Sequence, residues 1–221
     1  MISIPCKRIA YKPAMIEELI IRTLCDTLPS SADGVFLFGQ TADNQEAVFE
    51  MAKELVEQKL TDKVMFLGTK PMSGYPGFEN WKRALKGAGL KETAITAIPP
   101  VPSDTDLLHT RIEAESVVSF AKAEGYRKLI VVASPFQQTR AFMAAVTATQ
   151  KLYPQLQLYS LAGKAMSWSE EVKHSQGKVQ GTRAGLIAGE MERIKKYHAK
   201  GDLASVAEVL EYLNKRDRGE L

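Results

Sequence analysis

In the stretch LIVVASPFQQTRAF, residues 129–142, a hydroxyl (Ser134), an amide (Gln137) and a guanidinium (Arg140) follow directly on an apolar run. A helix that opens after a buried parallel strand presents free N–H groups and the positive end of its dipole, which suits an anion. An arginine fork matches the oxygens of a carboxylate or phosphate. The plainer reading is punctuation, with Pro135 stopping the strand and Arg140 pairing with a neighbouring helix. No G-x-S-x-G elbow surrounds Ser134, so it is not expected to be a hydrolase nucleophile.

Three further segments place small or polar groups where apolar runs end. Gly39, Gln40 and Thr41 follow ADGVFLF, and Gly68, Thr69 and Lys70 follow KVMFL. The first loop lacks both the G-x-G-x-x-G dinucleotide fingerprint and the G-K-[ST] of a P-loop. Its polar residues can hold a phosphate or cap the next helix. The third segment brings His109, Thr110 and Glu113. An imidazole titrates near neutrality and can act as a general base. Thr110 and Glu113 also fit a capping box, a purely structural role. Glu79 opens another helix, where the dipole favours a carboxylate.

These groups need a scaffold that gathers them. Residues 14–26 have apolar positions at helical spacing. Five apolar runs (GVFLF, KVMFLG, TAITAI, KLIVVA and LQLYSL) then alternate with segments of 3.6 period, a pattern that calls for a parallel sheet with helices on both faces. Right-handed crossovers put the C-terminal end of every strand on one edge. The fold class expected is therefore α/β: a Rossmann-like three-layer α/β/α arrangement with a mostly parallel five-stranded sheet and a C-terminal helical extension. Residues 1–164 make the α/β domain. Residues 165–221 show no further strand and read as two helices, with Asp202 as N-cap of the second. Each has an apolar stripe that needs cover, so packing on the domain is expected, with a homodimer arm as the alternative.

Composition narrows the function classes. The chain of 221 residues is 45% hydrophobic and 25% charged, with a formal net charge of +3. That excess is too small and dispersed to argue for nucleic acid. No run approaches the roughly 18 apolar residues of a membrane span. MISIPCKRIAYKP, broken by Pro5, Lys7 and Arg8, does not read as a signal peptide. Cys6 and Cys25 lack metal-site spacing; a reduced, cytoplasmic pair and no bound metal are expected. The residues leave the cofactor open.

In order and spacing these segments resemble the SanA/ElyC/YdcF-like family, long labelled a domain of unknown function. Ala32-Asp33 with Gly39 suits that family's first element, Gly68-Thr69 its second, and Glu79 its glutamate. His109-Thr110 with Glu113-Ala114 matches its polar helix start, and Ala133-Ser134 with Arg140-Ala141 its last motif. The resemblance covers roughly residues 30–162. Two departures stand out: Gln137 takes the place of a histidine and Glu113 that of an asparagine. An amide does not titrate, so Gln137 cannot replace a catalytic base. Many relatives carry an N-terminal membrane anchor and no such apolar span is read in this sequence, so an envelope role is not expected here.

The expectation is an anionic, phosphorylated or nucleotide-like small molecule at the sheet's C-terminal edge. Gly39, Gln40, Thr41, Gly68, Thr69, Thr110, Ser134, Gln137 and Arg140 would bind it. For phosphoryl- or glycosyl-type chemistry, Glu79, His109 and Glu113 are the candidate proton carriers. The alternatives are a sensing module without turnover and an interaction protein working through its C-terminal helices.

Overall fold

The computed structural model describes residues 15–174 and 179–221; the N-terminal stretch that includes Cys6 lies outside them. After α1 (Ile16–Leu24) come β1 (Gly34–Leu37), α2 (Gln45–Glu57), β2 (Val64–Leu67), α3 (Phe78–Gly87), β3 (Ile95–Ile98), α4 (Thr110–Ala123), β4 (Lys128–Ala133), α5 (Gln138–Leu152) and β5 (Gln157–Ala162). The five strands form one parallel sheet in the order β3-β2-β1-β4-β5. It is a Rossmann-like α/β fold, as the alternation of runs predicts.

Strand composition follows from this placement. In β1 and β2 every residue is buried, because helices cover both faces and no position faces water. The edge strands β3 and β5 are only partly buried. Right-handed crossovers put α2 and α3 on one face and α4 and α5 on the other. Trp81 of α3 fills the first face. Its ring meets Phe49 of α2, Phe66 of β2 and Tyr75 at centroid distances of 5.0, 5.4 and 4.8 Å. The chain reverses direction between β1 and β4, which creates a crevice between their C-terminal ends.

The segment after β5 departs from expectation. Gly163 passes between two main chains: a Cβ there would sit 2.8 Å from the carbonyl oxygens of both Ala133 and Ala47. Beyond it, β6 (Glu171–His174) and β7 (Val179–Thr182) pair as an antiparallel hairpin. The expectation of no strand after Ala165 is thereby corrected. EVKH and VQGT are four residues each and mostly polar; Val172 and His174 alone turn inward in the first, too short a run to register as a period.

Two helices follow, α6 (Arg183–Ala199) and α7 (Val206–Asp217). Gly201, at φ 75°, ends α6, and the N–H groups of Gly201 and Asp202 return to the carbonyls of His198 and Tyr197. Asp202 therefore belongs to the stop of α6. The N-cap of α7 is Ser205, in a reciprocal capping box with Glu208. Val209, Leu210, Tyr212 and Leu213 enter the same core as the strands. The Tyr212 hydroxyl donates to the Leu156 carbonyl and accepts from the Leu158 N–H, both at 2.7 Å. Arg216 grips both oxygens of Asp26 at 2.6 Å. Among the described residues, no helix is long and apolar enough to cross a membrane.

Candidate functional site

A cavity of about 510 Å³ opens at the crevice between the ends of β1 and β4 and runs toward α6. Two loops form its floor. The β1 loop contributes Gly39, Gln40 and Thr41, and the β4 loop leads to Gln137 and Arg140. The Gln40 amide donates to the Phe38 carbonyl and to Gln137 Oε1, each at 3.0 Å, which locks the two loops together. The Gln137 amide nitrogen has no hydrogen-bond partner among the described residues, and its residue lines the cavity.

Glu113, one turn into α4, lies beneath this floor and is buried. Its Oε1 accepts the N–H of Gly39. Burial pushes its carboxyl up to about 7, against the opposing pull of that N–H and of the Arg140 guanidinium. Gly39 permits the contact: a Cβ there would stand 3.0 Å from Leu108 Cδ2 and 3.1 Å from Glu113 Oε1. Tyr75 closes the same end, its hydroxyl donating to the Leu67 carbonyl at 3.1 Å and its ionisation suppressed by burial.

The capping box expected at Thr110 and Glu113 is absent. His109 holds the N-cap position without a side-chain bond, which makes Thr110 the first helical residue. Its hydroxyl accepts from Arg140 Nη1 at 2.6 Å instead. Each side chain has found a partner distant in sequence, and the cap is given up. His109 stands at the cavity rim, an exposed residue with a partly desolvated ring. Burial, and then the charge of Arg111, hold its pKa below the usual imidazole value.

Arg140 pairs with a neighbouring helix, as the plainer reading expects. Its Nε pairs with Glu190 of α6, a fully buried carboxylate, while the residue lines the cavity. Glu190 also contacts His174 Nε2 at 2.8 Å and Arg193 Nη1 at 2.7 Å. Burial alone would raise the Glu190 pKa; Arg140 and His174 outweigh it and hold the carboxyl well below its usual range. Two guanidiniums thus share the one carboxylate of Glu190, an excess of one positive charge within that trio. Arg140 Nη2 has no protein hydrogen bond among the described residues.

The hairpin and α6 are fastened to the β1 loop. Lys173 donates its N–H to Asp43 at 2.8 Å, and its carbonyl accepts from Thr41 and Asn44. Arg183, the first residue of α6, reaches Asn44 Oδ1 and the Asp43 carbonyl. Asn44 therefore serves this junction and does not cap α2, whose N-terminus has no side-chain cap bond.

Of the residues singled out in the sequence, Gly39, Gln40, Thr41, His109, Thr110, Glu113, Gln137 and Arg140 meet at the cavity. Four do not. Gly68 is tied to Ile98 at the β2–β3 edge, and Thr69 is buried beside it with an unpartnered hydroxyl. Glu79 is exposed on the first turn of α3. Ser134 is buried beyond the β4 end, beside Asn44 and Arg183. Tyr75, His174, Glu190, Arg193, Tyr197 and Asp202 were not anticipated. The one sequence signal for them is the spacing of 190, 193 and 197 on one helix face. Among the described residues, no cluster of three His, Cys, Asp or Glu is placed to hold a metal ion. No protein-family model matches the chain, and no curated protein does.

Proposed function

We propose that this cavity binds an anionic small molecule, phosphorylated or nucleotide-like, at the β1/β4 crevice. The observation that carries the reading is the pair of arginines, Arg140 and Arg193, sharing the single carboxylate of Glu190 in the cavity wall. Within that trio one positive charge is left over, and among the described residues Arg140 Nη2 and the Gln137 amide nitrogen have no protein partner, so both can donate to a ligand. Binding at this crevice is also the general habit of open α/β sheets. The order of segments shared with the SanA/ElyC/YdcF-like family supports the same placement.

Glu113 is the group fitted to move a proton. A carboxyl near 7 is substantially protonated at neutral pH. It can donate to a leaving oxygen and, once ionised, accept a proton from an attacking hydroxyl. Phosphoryl or glycosyl transfer needs little more from the protein than such a group, positioning and electrostatics. One observation favours a sensing role instead: Gln137 and Gln40 bond to each other where a titrating base would otherwise stand.

Thermal stability against a panel of nucleotides and sugar phosphates tests the proposal. A ligand at a hundred times its dissociation constant adds about 2.7 kcal/mol. Arg140→Lys keeps the charge beside Glu190 but loses the fork, and the shift is expected to shrink in it. If no phosphorylated compound stabilises the wild-type protein, the reading fails. Product formation that disappears in Glu113→Gln while binding persists would separate an enzyme from a sensor.

A further inference from the structure

Resting on the anion reading above, we propose that α6 and the turn after it build a second subsite for a flat apolar or aromatic ring. The ligand is then a phosphate ester of a ring-bearing group, such as a nucleoside monophosphate, and not a bare sugar phosphate.

Two helices set out the cavity at matched spacing. α5 presents Arg140 and Ala144, and α6 presents Arg193 and Tyr197, each pair one turn apart. Arg140 meets Glu190 at one end. At the other, the Ala204 N–H beyond α6 donates to Thr147 Oγ1 of α5 at 2.8 Å. The two helices therefore advance in the same sense, and their polar ends coincide at the sheet edge. Their far ends coincide too, and there the lining is Ala144, Tyr197 and Leu203, with the Arg111–Asp202 ion pair (2.7 Å) at its margin.

This far end has the form of a ring site. Ala144 is small and leaves room across from Tyr197. Leu203 is buried, while Tyr197 packs on the core with part of its surface exposed. The Tyr197 hydroxyl has no hydrogen-bond partner among the described residues, so no polar contact dictates the ring's position. The cavity's 510 Å³ lies within the range that encloses whole organic ligands, on the order of 300–1,000 Å³. A phosphate alone would occupy the arginine end and leave the Ala144 and Leu203 side chains and the Tyr197 ring uncovered. A stacked ring uses that surface.

Titration calorimetry with ribose 5-phosphate, adenosine 5′-monophosphate and phenyl phosphate on the full chain tests this. The ring-bearing adenosine ester is expected to bind about tenfold to a hundredfold more tightly than ribose 5-phosphate, as stacking of a base allows. That advantage should persist in Tyr197→Phe and be lost in Tyr197→Ala. Equal affinity of the two ribose esters for the wild-type protein would overturn the ring subsite and leave the anion reading standing. So would an advantage undiminished in folded Tyr197→Ala. Should that variant not fold, the wild-type comparison decides alone. Failure of all three compounds to bind would overturn the anion reading, and the ring subsite with it.

Discussion

Glu113 shows how one residue acquires a character its type does not predict. In water its carboxyl would be ionised at neutral pH, whereas burial beneath Gly39 raises it to about 7 from 4.5. A raised acid stabilises the fold fully below the unfolded value, and that contribution is lost as pH climbs through the folded one. Glu113→Gln should therefore match the wild type near pH 4 and exceed its stability above pH 7 by on the order of 3 kcal/mol. Urea denaturation at the two pH values reads this directly; a constant difference between the proteins would contradict it. The same titration bears on ligand binding. The protonated carboxyl can donate to an anion and the ionised one repels it, so affinity for a phosphate ester should weaken between pH 6 and 8. In Glu113→Gln, Glu113 no longer contributes to that dependence.

At the scale of elements, α6 is the part most coupled to the site. Glu190 is its centre: a carboxylate with no exposed surface that pairs with arginines on two helices. Removing one partner of a buried ion pair leaves the others uncompensated, which costs about 3–5 kcal/mol. Glu190→Ala is expected to lose that much in equilibrium unfolding and to free Arg140 from its position. A loss below about 1 kcal/mol, the level of an exposed pair, would mean that the network is solvated and the cavity less organised than the geometry indicates. At the start of α7, Ser205→Ala removes a capping box and should cost about 1 kcal/mol without touching the ligand site. A change in ligand affinity there would show that α7 is coupled to the cavity.

For the whole molecule, the question is whether residues 165–221 are an appendage. Leu210 and Leu213 share a core with Leu129 and Val131, and α7 holds β5 through Tyr212 and Arg216. A chain ending at residue 164 would expose that core and lose Glu190 and Arg193 together. It is expected to show no cooperative thermal transition. A folded fragment retaining the ligand would contradict this and assign the C-terminal helices to another role.

Much of the architecture is legible in the order of residues, for a local reason. Apolar runs such as GVFL and VMFL, separated by helical periods, can be satisfied only by a sheet covered on both faces, and right-handed crossovers then carry Gly39 and Gln137 to one edge. Arg140 and Glu113 are likewise legible as candidates, because their types are unusual where strands give way to helices. Their partners are not. Thr110 and Glu113 fit a capping box in sequence but bond to Arg140 and Gly39 instead, since long-range contacts in the packed interior outweighed the local pairing. Gly68, Thr69 and Glu79 share the loop chemistry of the others yet lie away from the cavity, because the crevice forms only where strand order reverses, whereas Ser134 follows β4 but is buried beside Asn44 and Arg183. The hairpin and the far wall from Arg193 to Leu203 arise when α6 packs alongside α5. The sequence by itself determined the sheet, its polar edge and the presence of a candidate base. Tertiary structure decided which of those polar groups face one another, because burial and charge pairing depend on neighbours that no local spacing specifies.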